Sequence, residues 1–226
     1  ILQEDVIVKK GSIIWSIALL LWILVLAVPA TRSAFMAATD AHPYVMGFIK
    51  FAILASMGDL LGIRVLRGEW IIPKGVFYKS IIWGIIGMMT TLVFTVYMGG
   101  TSAAQAAGRL PFKESALALA FFTSAIMNLT FGPIMMAFHR FTDMYIDSRY
   151  ERSKGRTTIS SLIDRNDWHS LVEFSWLKTC PFFWIPAHTI VFMLPAQYRV
   201  LISAFLSIAL GLLLALAKKG KAAKAA

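Results

Sequence analysis

Cysteine is nearly absent from this chain. Cys180 is the only one in 226 residues, which excludes an internal disulfide and a disulfide-stapled scaffold. Charge is scarce as well: 15% of the residues are Asp, Glu, Lys or Arg, against about 25% in a soluble domain. That is too little to coat a soluble globule, so a soluble α/β enzyme is excluded. A hydrophobic content of 58% excludes intrinsic disorder. Catalytic signatures are missing too. There is no His-Glu-x-x-His, no Gly-x-Ser-x-Gly and no Gly-rich phosphate loop. The four histidines, His42, His139, His169 and His188, have no metal-ligand spacing to one another or to Cys180. Neither an enzyme, a metal nor a cofactor is expected.

The apolar residues that are present fall into runs of about twenty, the length that crosses a ~30 Å hydrocarbon layer as helix. The runs are continuous, with no in-out alternation, which disfavours a β-barrel. Six segments stand out: 11–30, 43–62, 76–98, 115–138, 177–196 and 198–217. The first has a basic start and a small-residue end, like a signal peptide, but its apolar stretch is too long for one and reads as a retained span. The fifth holds Pro181, Pro186 and Pro195, so it reads as kinked, broken or re-entrant. The fold class is therefore all-α: a polytopic transmembrane helix bundle of about six membrane segments.

The net charge of +10 first suggests nucleic acid, but in a membrane chain it is a topology label. With six spans, seventeen of the 22 Lys and Arg fall on one side: Lys9, Lys10, Arg64, Arg67, Lys74, Lys79, Arg140, Arg149, Arg152, Lys154, Arg156, Arg165, Lys178 and the four lysines after 217. Arg32, Arg109, Lys113 and Arg199 fall on the other. Both termini are expected on the cytoplasmic side, with no nucleic-acid partner. Residues 1–40 read as an extra N-terminal segment, 41–217 as the main bundle and 218–226 as a basic tail fraying among headgroups.

The long loop 139–176 should begin as an extension of the fourth span. Near its end Trp168, Leu171, Val172 and Trp176 share one helical face. Asp167 reads as its N-cap, and Ser170 with Glu173 has capping-box spacing. This helix either lies in the interface, touching anionic lipid headgroups, or packs on the bundle.

Polar side chains inside spans are costly and therefore informative. Lys50 and Asp59 lie nine residues apart in the second segment, on opposite helix faces and ~13 Å apart along the axis, so they cannot pair. Arg64 or Arg67 is a candidate to neutralise Asp59, while Lys50 either snorkels outward or lines a polar interior. Asn128, with Thr130, Gly132 and Pro133 beside it, suggests a hydrogen-bonding site and a kink. Asn128-Leu-Thr130 is formally a glycosylation sequon, inert inside a span. His188 is the best pathway-lining histidine. Gly58 and Gly62, and Gly84 and Gly87, are positions for close helix approach.

The order of motifs resembles the family named after Mpv-seventeen and the twenty-two-kilodalton peroxisomal membrane protein. The residues are His42-Pro43, Gly58-Asp59, Asn128 to Gly132-Pro133, Trp168, Trp184-Ile-Pro186-Ala-His188, and Pro195-Ala-Gln-Tyr198-Arg199. The resemblance covers about 41–217. Departures are the inserted Ile185, His188 at or near the signature Gln, Val191 where the family has Asn, and Gly211 with leucines in place of the final Trp-Asn. The resemblance implies a channel-like pore for small solutes. The expected function is thus a permeation pathway, its polar candidates Lys50, Asp59, Asn128 and His188. The alternative is a non-transporting structural or assembly protein that binds lipid or a partner through its basic loop. A bacterial cytoplasmic membrane is the expected location, with the mitochondrial inner membrane second, and a homo-oligomer is compatible with either function.

Overall fold

A computed structural model describes residues 2–151 and 156–225; Arg152 and Lys154 of the basic count lie outside them. Every regular element among the described residues is helical. In chain order they are α1 (Leu2–Ala27), α2 (Pro29–Ala41), α3 (Pro43–Arg67), α4 (Val76–Ala106), α5 (Ala116–Tyr150), α6 (Ile159–Arg165), a π-helix π1 (Ser170–Trp184), α7 (Ile185–Met193) and α8 (Ala196–Ala225).

Five stretches are long and apolar enough to cross a membrane: Lys10–Ala27, Pro43–Arg67, Val76–Ala106, Ala116–Tyr150 and Ala196–Leu213. Their outward faces carry large apolar side chains open to the surroundings, such as Ile14, Ile53, Val96, Leu129 and Leu213. Such a belt is stable only against lipid. The chain is an integral membrane protein with an all-α bundle fold.

The fifth expected segment is neither broken nor re-entrant. π1 and α7 form one helix through residues 168–193, antiparallel to α5. Trp168 packs on Phe141 at its start, and Ser124 donates to the Ile185 carbonyl further on. Those two α5 positions are about 25 Å apart at 1.5 Å per residue, most of a hydrocarbon layer. Wide π turns explain how Pro181 sits inside it, and Pro186 falls in the first turn of α7. In an α-helix a proline ring collides with the carbonyl four residues back; with bonds to the fifth residue back, as from Ile185 to Cys180, that carbonyl is displaced. The amphipathic stretch 168–176 is the first part of this helix and packs on α5, so the interfacial reading is corrected. Asp167 does cap it, accepting from the Ser170 N–H at 3.0 Å. Glu173 does not complete a capping box but meets His169 at 3.2 Å. As expected, α5 continues well past the fourth span, to Tyr150. It also passes Gly132-Pro133 without interruption. The tail does not fray: α8 stays helical to Ala225.

One end of the bundle collects the basic residues. There Trp70 donates to Ser12, Lys79 meets Asp147 and Arg140 donates to Asn166. This basic end holds the start of α4 and the ends of α3 and α5. The far end holds α2, His42 and the α7–α8 turn. α2 was not foreseen; it turns Phe35 and Thr39 into the bundle.

α3 is the central helix. Its Gly47 meets Gly87 of α4 backbone to backbone, and its Gly58 meets Ile208 and Gly211 of α8. Around these contacts Phe51, Leu54, Ala55, Ile86, Leu201 and Ala204 are buried together. A second cluster, Phe94, Ala120, Met127, Val191 and Phe192, joins α4, α5 and α7. α1 packs on the bundle through Trp15, Leu19, Trp22 and Leu26 among others: the Trp15 Nε1–H donates to the Met57 carbonyl, and Trp22 meets Phe35 edge-on.

Gly87→Leu should therefore destabilise the protein by about 1–3 kcal/mol, as overpacking does. Gly62→Ala, whose methyl would only touch the Gly211 carbonyl at 3.7 Å, should be near neutral. Thermal unfolding in detergent compares the two; equal losses would contradict this packing.

Candidate functional site: a line of cavities between the helices

Three cavities lie in series between the helices. The first, about 310 Å³, opens at the basic end and is lined by Asp59, Trp83, His139, Arg140, Asp143 and Thr179 among others. Asp59 sits on α3 yet stays exposed, because it faces this space. Its partner is neither Arg64 nor Arg67: the Trp83 Nε1–H donates to Asp59 Oδ2 at 2.7 Å. Four residues beyond Lys79 on α4, Trp83 is one helical turn away from the charge cluster. The His139 ring lies on Trp83, with centroids 4.1 Å apart. His139 Nε2 is 3.8 Å from Asp143, and Lys79 joins Asp143 at 3.6 Å and Asp147 at 2.9 Å. The mouth thus sets carboxylates against an amine and an imidazole, with an indole N–H holding the innermost carboxylate.

The second cavity is central and small, about 60 Å³. It shares Trp83, Met135, Met136, Trp184 and Ser207 with the first, so these side chains form the partition between them. Its polar lining includes Thr90, Asn128, His188 and Ser203. A directional hydrogen-bond chain fixes two of them. The Asn128 amide donates to the Ser124 carbonyl at 2.8 Å and to Ser124 Oγ at 3.2 Å. A carbonyl only accepts, so the amide nitrogen faces Ser124 and Oδ1 faces His188 Nδ1, at 3.2 Å. Nδ1 therefore carries the proton, and Nε2 of the neutral ring keeps its lone pair. Ser124 in turn donates to the Ile185 carbonyl at 2.8 Å. The chain ties α5 to α7 where both are buried. Trp184 stacks on the other face of the arrangement, 5.0 Å from the His188 ring.

The third cavity, about 190 Å³, opens at the far end and adjoins the second at Phe94. Lys50 lines it and does not snorkel; it is fully buried. The Thr39 hydroxyl donates to the Phe35 carbonyl, leaving a lone pair for Lys50 Nζ at 3.0 Å. The ammonium also lies 4.7 Å above the Phe35 ring, a cation–π contact. Asp40, Gln197 and Arg199 complete the charged rim. Gln197 donates to Asp40 at 3.4 Å, and Arg199 Nε to the Leu194 carbonyl at 2.9 Å.

The four polar residues chosen from the sequence thus each line one of the three spaces. Lys50 and Asp59 are at opposite ends, as their spacing requires; Asn128 and His188 are paired in the middle. The motif residues divide the same way. Pro43 and Arg199 line the far-end cavity, with His42 at the N-cap position of α3, Pro195 in the α7–α8 turn and Tyr198 in the first turn of α8. Gly58 is a helix contact, and Gly132 backs onto Cys180 with Pro133 following in α5. Trp168 donates to the Ile163 carbonyl at 3.1 Å, outside the cavities, and Pro186 is an exposed residue in the first turn of α7. Sequence reading missed Trp83, Ser124, Thr39 and Ser203. Their signal was weak, since a lone Trp, Ser or Thr in an apolar run reads as packing. Among the described residues no cluster of three His, Cys, Asp or Glu is arranged to hold a metal.

Asn128→Leu should strand the His188 N–H and the Ser124 hydroxyl lone pair. A loss of about 1–3 kcal/mol in SDS-induced unfolding is expected, the cost of an unsatisfied buried donor. No measurable loss would show that the chain of bonds does not hold α5 to α7.

No protein-family model, curated protein or solved structure matches the chain.

Proposed function

We propose that this protein is a channel-like pathway for small solutes, running from the basic-end cavity through the central one to the far-end one. The observation that carries the reading is the shared lining: five side chains separate the first two spaces, and Phe94 adjoins the second and third. Polar groups buried in a membrane bundle are costly, and Lys50, Thr90, Asn128, His188 and Ser203 are buried along this one line. The motif resemblance to the Mpv-seventeen family points the same way. In this reading the basic end and both termini are cytoplasmic, in accordance with the positive-inside rule, and a bacterial cytoplasmic membrane is the location proposed.

A second reading, a non-transporting protein that binds lipid or a partner at its basic surface, has its own observation. An apolar groove of about 610 Å³ lies between α4, α5 and α6, bordered by Tyr78, Tyr145, Tyr150 and Arg149.

Flux into proteoliposomes separates the two. Ser207 stands in the partition, and Ser207→Phe would fill it. Wild type should pass small solutes, and the variant should slow this about tenfold or more with its helicity intact, because a narrow pore is set by its diameter. If wild type leaks no more than Ser207→Phe or the Asp59→Ala, His188→Ala double variant, the pathway is wrong and the second reading takes its place.

A further inference from the structure

Two polar atoms at the central cavity have no hydrogen-bond partner within the protein. They are Trp184 Nε1 and Ser203 Oγ, both buried, on residues 8% and 2% exposed. Both residues line that cavity. A buried N–H left unpaired is expensive, and the great majority of such groups in folded proteins are satisfied. His188 lines the same space, and its proton is committed to Asn128 through Nδ1. What remains unpaired is one fixed donor, one hydroxyl able to donate or accept, and one imidazole lone pair; the Thr90 and Ser207 hydroxyls beside them already donate to the Ile86 and Ser203 carbonyls, and most of the wall is Phe, Met and Ile side chains.

We infer that the central cavity is a binding site for a small uncharged molecule that both donates and accepts hydrogen bonds, of the amide or urea class. This names the solute class of the pathway proposed above and rests on that reading for the claim that the solute passes through. Size supports it. At ~10–15 Å³ for each water-sized position, about 60 Å³ holds roughly four heavy atoms, the size of urea or acetamide. Charge supports it independently. Asp40, Lys50 and Arg199 line the far-end cavity and Asp59, Arg140 and Asp143 the basic-end one, but no Asp, Glu, Lys or Arg lines the centre. An ion reaching the centre would lose its hydration with no opposite charge to replace it. A neutral amide exchanges its water hydrogen bonds for those of Trp184, Ser203 and His188.

The seven tryptophan indole N–H groups of ¹⁵N-labelled protein in nanodiscs provide the readout. Trp184→Phe assigns the Trp184 resonance while keeping an aromatic ring on His188. Titration with acetamide or urea should move that resonance saturably; potassium chloride and mannitol should not. Ser203→Ala should weaken the apparent affinity by about two- to tenfold, as loss of one hydrogen bond does. A Trp184 signal unmoved by either amide, or moved as much by potassium chloride, overturns the inference. Flux assays on the same preparations keep the two claims apart. Binding without flux leaves the site and removes the pathway; flux of solutes without the Trp184 response leaves the pathway and removes the site.

Discussion

Close approach of helix backbones at glycine governs this bundle. Gly47 lets α4 reach α3 at Gly87, and Gly58 lets α8 reach α3 at Gly211. In lipid there is no hydrophobic drive between helices, so contact at small residues is a main source of cohesion. With α3 held between α4 and α8, Asp59 comes within reach of the Trp83 indole on one side, and Lys50 within reach of Thr39 beneath α2 on the other. α5 and the π1–α7 helix then close the remaining side through the Asn128–His188 bond. The cavities are the space that these five contacts leave between the helices.

The polar groups along that space differ in kind by position. Full charges stand at the two mouths, each with partners: an indole N–H and a Lys–Asp cluster at the basic end, a hydroxyl and an aromatic face at the far end. Neutral donors and acceptors stand at the centre. This gradation is what membrane energetics favours, because a charge costs most where water is furthest away. It also makes the centre the selective point of the proposed pathway, since only there must a solute shed its water against groups of fixed geometry.

Much of the fold was legible in the sequence. Runs of about twenty apolar residues marked the long helices, and the Lys and Arg distribution anticipated that the ends of α3 and α5 and the start of α4 would meet. The prolines misled. Pro181 argues for a break only if the winding is α, Pro186 falls where the π winding passes into the first turn of α7, and nothing in composition announces fifteen residues of π-helix. α2 was hidden because a 13-residue helix with few large apolar residues looks like a loop. At the site, Lys50, Asp59, Asn128 and His188 stood out because they are polar in apolar runs. Their partners did not: Trp83 and Ser124 become recognisable only once α4 faces α3 and α5 faces α7. Arg64 was a reasonable partner for Asp59 by distance along the chain, but at i+5 it lies on another face of the helix.

The central claim is that one water-accessible line runs through the bundle, and cysteine accessibility tests it most directly. Cys180, the only native cysteine, is buried and can be replaced by Ser to give a silent background. Single cysteines at Thr95 and Ser207, which line the far-end and basic-end cavities, should react with a membrane-impermeant thiol reagent, each from its own side of the vesicle. Cysteines at the outward-facing Leu92 and Leu129 should stay unreactive, screened by lipid. Silence at Thr95 and Ser207, or labelling equal to that at Leu92 and Leu129, would contradict the account.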